Sequence, residues 1–177
     1  MNQITCFHCN DTPKVDDFIE NRKLIISQHP YDDWWSGKGM YFWDNLSNAC
    51  YWKNEKLKKQ PSNPVSIISV DVQFNTSDES FLDLTDDSIL HMLIEYYRLT
   101  HPDQELHDKK IGILIDDYSQ KYGVKVVKIL GNYSQRQSPE TPINIKKLSY
   151  KAKTIYCVKE NCESSIIFET IRRVSNG

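Results

Sequence analysis

Gly37-Lys38-Gly39-Met40-Tyr41-Phe42-Trp43-Asp44 is the stretch on which the fold reading turns. Two of the chain's six glycines stand two residues apart here, directly before three consecutive aromatic residues. Glycine in such a place permits a tight turn or the close approach of another backbone. The aromatic run predicts a strand over 40–43, and side chains that alternate put rings on both of its faces. Asn45 or Ser47 then reads as the cap of a helix over 47–59, with Ala49, Trp52 and Leu57 on its inner side.

Working outward, short segments rich in β-branched and aromatic residues predict strands over 4–8, 67–74, 124–130, 154–158 and 165–171. Apolar residues at helical spacing predict helices over 14–26 and 87–99, the second capped by Thr85, and over 111–122, closed by Gly123. Residues 60–64 and 131–142 carry prolines and read as loops. The pattern is α+β, with short strands forming the core and helices at its periphery. No boundary leaves a self-sufficient core on both sides, so residues 1–177 are read as one domain.

Composition agrees with a packed protein: 177 residues, 39% apolar, 26% charged, with a mean hydropathy of −0.59. That excludes a disordered or fibrous chain, and runs such as Ile113-Leu114-Ile115 are too short to cross a bilayer. No secretory signal is read at the start, and five cysteines, an odd number, fit reduced thiols in the cytoplasm. Charge is polarised along the chain. Residues 71–120 hold twelve acidic and three basic residues, whereas residues 121–177 hold eleven basic and four acidic ones. Lys146, Lys147, Lys151, Lys153 and Lys159, with Arg136, Arg172 and Arg173, form a candidate polyanion surface, and Lys53, Lys56, Lys58 and Lys59 form a second.

The Gly-Lys-Gly-Met-Tyr-Phe run, followed by Asp44, Ser47, Ala49 and an aromatic residue, resembles the nicotinamide-side motif of ADP-ribosyltransferases of the poly(ADP-ribose) polymerase branch. An earlier strand bearing histidine belongs to the same pattern, and Phe7-His8-Cys9-Asn10 stands in that order here, with Cys9 where the family has glycine. Asp83-Leu84-Thr85-Asp86 and Tyr156-Cys157-Val158 extend the similarity to small bacterial members. The resemblance implies a split β-sheet core and NAD as substrate. It also implies transfer of one ADP-ribose to a macromolecule by a toxin or phage-defence effector. His8 would then bond ribose hydroxyls, Tyr41 would stack on nicotinamide, and Tyr51 or Trp52 would close the sandwich. Gly39 and its neighbours, with Cys9 and Ser47, complete the implied NAD site.

The resemblance also implies a third catalytic position at the start of a late strand. In one register it is Ile155, a hydrophobic residue of the kind found in mono-ADP-ribosylating members. In another it is Glu163, and Glu140 in the preceding loop is a further candidate general base. RNA or DNA is the preferred acceptor over protein, and an antitoxin protein is an expected partner. A non-catalytic NAD or ADP-ribose-binding or partner-binding module, or an NAD glycohydrolase, is the alternative. No metal is expected. Cys6 and Cys9, with Cys157 and Cys162, have a zinc-like spacing, but strand alternation sends Cys6 and Cys9 to opposite faces. His91, His101 and His107 fit no common ligand spacing.

Overall fold

The computed structural model describes residues 1–27, 32–105, 111–132 and 152–175. Its strands are β1 (Asn2–Asp11), β2 (Met40–Trp43), β3 (Val65–Phe74), β4 (Phe81–Asp83), β5 (Val126–Asn132), β6 (Ala152–Val158) and β7 (Ile166–Arg173). The helices are α1 (Thr12–Asn21), α2 (Leu46–Lys59), α3 (Asp87–Thr100) and α4 (Ile111–Tyr122), with single 3-10 turns at Asp32–Trp34 and Glu163–Ser165. All seven strands join one mixed sheet in the order β4-β5-β6-β2-β1-β3-β7, so the α+β reading holds.

Alternating apolar side chains give this sheet two buried faces. Cys9, Ile67, Val127, Ile129, Ile155 and Cys157 point to the side covered by Ala49 of α2, Leu93 and Tyr97 of α3 and Ile115 of α4. Cys6, Phe42, Ile68, Val70, Val126 and Val158 point to the other side, where Val15 and Phe18 of α1 fill the centre. The sheet curls round that second core. Phe74 of β3 stacks on Phe81 of β4 at 4.3 Å and on Tyr156 of β6 at 5.7 Å, across strands remote in the sheet order.

The middle of the sheet is its narrowest junction. Every residue of β1 pairs with β3, from Asn2↔Phe74 to Asp11↔Val65. With β2 it pairs at one position, Phe7↔Trp43, while β2 pairs along its length with β6. Two blocks, β4-β5-β6-β2 and β1-β3-β7, therefore meet at a short seam, and His8 lies beside it.

Local chemistry moved several boundaries. Helix α1 starts earlier than expected, with Pro13 in its first turn, and stops at Asn21 because Arg22 takes a left-handed conformation (φ 53°). Asn45 caps α2 by accepting from the Asn48 amide. Asp86 caps α3 in place of Thr85, whose hydroxyl donates instead to Asp83. The three-residue strand β4 was not anticipated; it runs parallel to β5 from Phe81↔Val126 to Asp83↔Lys128. Strand β5 extends to Asn132, into the expected loop over 131–142, and the rest of that loop lies outside the described residues.

Candidate functional site

The Gly-Lys-Gly turn is built as its residues predict. Gly37 has φ +74°, a conformation that L side chains rarely adopt, and a Cβ there would strike the Asp116 carboxylate. That carboxylate accepts the Lys38 amide, 3.0 Å from each oxygen. Lys159, directly after β6, donates its ammonium to the Ser36 carbonyl at 2.7 Å and ion-pairs with Asp116. Asp32 closes the turn from the far side, its carbonyl accepting the amides of Trp35 and Gly37.

Gly39 is required by space. A Cβ on it would lie 2.4 Å from Cys157 Sγ and 2.6 Å from the Val158 carbonyl oxygen. The second obstacle is backbone of the neighbouring strand and yields little. Gly39→Ala is expected to cost about 1–3 kcal/mol through this overpacking, read as a lowered urea midpoint. An unchanged midpoint would mean that β2 and β6 separate freely here.

His8 sits beside the seam and is buried at 6% exposure. Its Nδ1 donates to the Tyr41 carbonyl at 2.7 Å, and its Nε2 accepts from Asn10 Nδ2 at 3.3 Å. Burial holds the imidazole neutral, pushing its pKa down to about 4 against the partial support of the Tyr41 carbonyl. Asn10 Oδ1 in turn accepts from Lys56 of α2 at 2.9 Å, and Lys56 ion-pairs with Asp11 at 3.1 Å.

The geometry corrects the expected sandwich. Tyr41 pairs with Cys157 and shares the face of Cys9, where it packs under the turn, and its hydroxyl donates to the Gly37 carbonyl. His8 lies on the opposite face, with the Phe42 ring 5.6 Å away. What joins His8 to Tyr41 is the backbone carbonyl; the imidazole and the phenol do not face each other. Burial also keeps the Tyr41 phenol protonated well above its ordinary range. Trp52 is stacked on Trp43 at 6.1 Å, and Tyr51, exposed, meets Trp52 edge-on. Ser47, at the exposed start of α2, donates to Asn45.

Of the candidates for the third position, the structure removes Glu163. Ile155 is 2% exposed, is flanked by Trp43 and Ile129, and belongs to the core. Glu163 lies in the turn before β7, where the neighbouring Ser164 carbonyl accepts from Gln73. Ile166 pairs with Val72 in the row of Ile4, four residues and so roughly 13 Å along β1 from His8, and Glu163 precedes it. Distance removes it from the site. Glu140 lies outside the described residues.

Two other expectations change. Lys159 is buried and ion-paired, so it leaves the proposed polyanion surface, and Arg173 is engaged with Asp16 and Ser66. Of that surface, Arg136, Lys146, Lys147 and Lys151 lie outside the described residues. Cys6 and Cys9 point into different cores, and burial pushes their thiols up to about 12 and about 11, so both are inert at neutral pH. His101 stacks on Tyr97, His91 is exposed on α3, and His107 lies outside the described residues. No helix among the described residues is long and apolar enough to cross a membrane.

Sequence reading gave Asn10 and Asp116 no role in the site, and placed Lys56 only in a basic cluster beside it. Asn10 left a signal, because a residue two places after His8 on a strand shares its face. Asp116 left none, since nothing in its own helix points to a turn nearly eighty residues earlier. No family model, no curated protein and no solved structure matches the chain.

Proposed function

We propose that this chain is a mono-ADP-ribosyltransferase that takes NAD as substrate and modifies a macromolecule, nucleic acid before protein, as a cytoplasmic toxin or phage-defence effector. One observation carries the reading. A buried, neutral histidine on the first strand bonds the backbone of the strand that follows the Gly-Lys-Gly turn, across a sheet whose two blocks meet at a single paired position. That arrangement supports the split sheet that the sequence resemblance implies, while the histidine meets the tyrosine only through its backbone carbonyl.

In the reaction, the bond between nicotinamide and ribose breaks and nicotinamide leaves as a neutral base. The acceptor's oxygen or nitrogen bonds to the ribose carbon and gives its proton to solvent. In such a site a ribose hydroxyl bonds His8 by displacing the Asn10 NH2 from Nε2, the ring's one acceptor, while Nδ1 stays on the Tyr41 carbonyl.

Incubation with labelled NAD and whole-cell lysate, followed by nuclease or protease digestion, tests both activity and acceptor class. His8→Ala and Tyr41→Ala are each expected to lower labelling by on the order of 100-fold while keeping the fold, as checked by circular dichroism. Labelling unchanged in both variants would overturn the assignment. A second reading, a binding module without turnover, is favoured by the burial of Ile155 and the engagement of the Tyr41 hydroxyl. It predicts tight NAD or ADP-ribose binding without nicotinamide release. Nicotinamide release without labelled macromolecule would mark a glycohydrolase.

A further inference from the structure

We infer that the outer face of α3 and α4 built from Met92, Tyr96, Leu99, Tyr118 and Tyr122 is a docking surface for a cationic, amphipathic segment of a partner protein. None of these residues belongs to the site around His8 and Tyr41, so the inference stands apart from the function proposed above.

On α3, Met92, Tyr96 and Leu99 stand at i, i+4 and i+7, so they form one row along the helix. On α4, Tyr118 and Tyr122 stand at i and i+4. The two rows meet. The Tyr96 ring is 5.1 Å from Tyr118 and 5.8 Å from Tyr122, edge-on to both, and Tyr118 lies 4.5 Å from Tyr122. The Tyr118 hydroxyl donates to Met92 Sδ at 3.5 Å. Buried Tyr96 anchors this cluster to the body of the protein, while Met92 is 39%, Tyr122 42% and Leu99 82% exposed. Large apolar side chains left in water on adjoining helical rows mark an interaction surface. Tyrosine and methionine are enriched at protein interfaces, where the ring gives a large contact area and the thioether adapts its shape.

Charge selects the partner. Residues 71–120, which carry all of α3 and most of α4, hold twelve acidic and three basic residues. Asp117 accepts the Tyr96 hydroxyl at 2.6 Å at the border of the cluster. Glu79 lies near enough to Tyr118 to act, after burial and Tyr122, in holding its phenol above the ordinary range. Arg98 is taken up by Glu95. The ring faces are electron-rich and attract cations, and Lys121 Nζ stands over Tyr96 at 4.9 Å and over Tyr122 at 5.5 Å. Lys121 thus marks on the protein itself where a cation settles. Aromatic faces with an acidic rim repel the phosphates of RNA or DNA. They draw lysine or arginine side chains, whose apolar stems cover the exposed carbon atoms.

The probe is a dye-labelled synthetic helical peptide with leucine on one face and lysine on the other, and its twin carries glutamate in place of lysine. Binding to the full-length protein is followed by fluorescence anisotropy. The lysine peptide is expected to bind about tenfold more tightly than its twin, and the double variant Met92→Ser, Tyr122→Ser is expected to lose about tenfold in affinity for it. Neither substitution changes the charge at neutral pH, so that loss reports the face rather than the acidity of the whole chain. Leu99→Ser, at the most exposed of these positions, is expected to weaken binding in the same direction. It decides the matter if the double variant fails to fold, as judged by its urea midpoint. Absence of binding by the lysine peptide, equal affinity for the twins, or affinity undiminished in every folded variant would overturn the inference. So would displacement of the peptide by a single-stranded RNA, or wild-type dimers in sedimentation that the variants dissolve. The face would then serve nucleic acid in the first case and a second copy of this chain in the other.

Discussion

Asp116→Ala is expected to lower stability by about 3–5 kcal/mol, the cost of leaving a buried charge without its partner. Lys159 has a side chain only 7% exposed, and its ammonium is held by Asp116 and the Ser36 carbonyl. Once the carboxylate is removed, one carbonyl is left to compensate a full positive charge, and the Lys38 amide loses its acceptor as well. The Asp116 side chain is 27% exposed, so water entering from its side sets the loss towards the lower end of that range. Urea unfolding at pH 7 measures it. The double variant Asp116→Leu, Lys159→Met removes both charges with little change in volume and is expected to recover most of the loss. A single-variant loss below about 1 kcal/mol would show that the ammonium finds water once its partner is gone.

This pair also shows where sequence reading stops. The Gly-Lys-Gly turn, the aromatic strand and helix α2 were legible because each is a local pattern: glycines for a turn, alternating rings for a strand, a side-chain acceptor for a cap. Strand β4 was not, because three residues hold too little alternation to signal a strand and its pairing to β5 depends on residues more than forty places on. Lys159 was misread for the same reason. In sequence it is one of a run of lysines, and only the folded chain brings Asp116 and Ser36 to it. Glu163 failed as a candidate catalytic position because register, which a strand pattern does not fix, decides which residue faces which across the sheet. The expected convergence of His8 and Tyr41 foundered on the same point. Cys157 and Cys9 share the face of Tyr41, and a shift of one residue reverses the face of every side chain on a strand.

Lowering the pH from 7 towards 4 is expected to remove roughly 3 kcal/mol of stability through His8 alone, the free-energy equivalent of a histidine whose pKa drops from 6.5 unfolded to about 4 folded. The sign follows from proton binding. Between these two values the unfolded chain carries the proton and the folded chain does not, so acid favours unfolding. Stability is complete above about 6.5 and falls steadily until the folded imidazole itself protonates. The structural reason is explicit, because protonation would put a hydrogen on Nε2 against the Asn10 NH2 in a buried site. Asp83, whose pKa lies below its ordinary 3.8, loses its contribution only at still lower pH, so the two effects separate. The check is unfolding by urea at several pH values for the wild type and His8→Gln. Glutamine supplies a donor for the Tyr41 carbonyl but does not titrate, so the variant's stability is expected to stay nearly level from pH 7 to 5 while the wild type declines. Parallel curves for the two proteins would mean that His8 opens to solvent in the folded state, and the seam it occupies would then be a gap rather than a sealed junction.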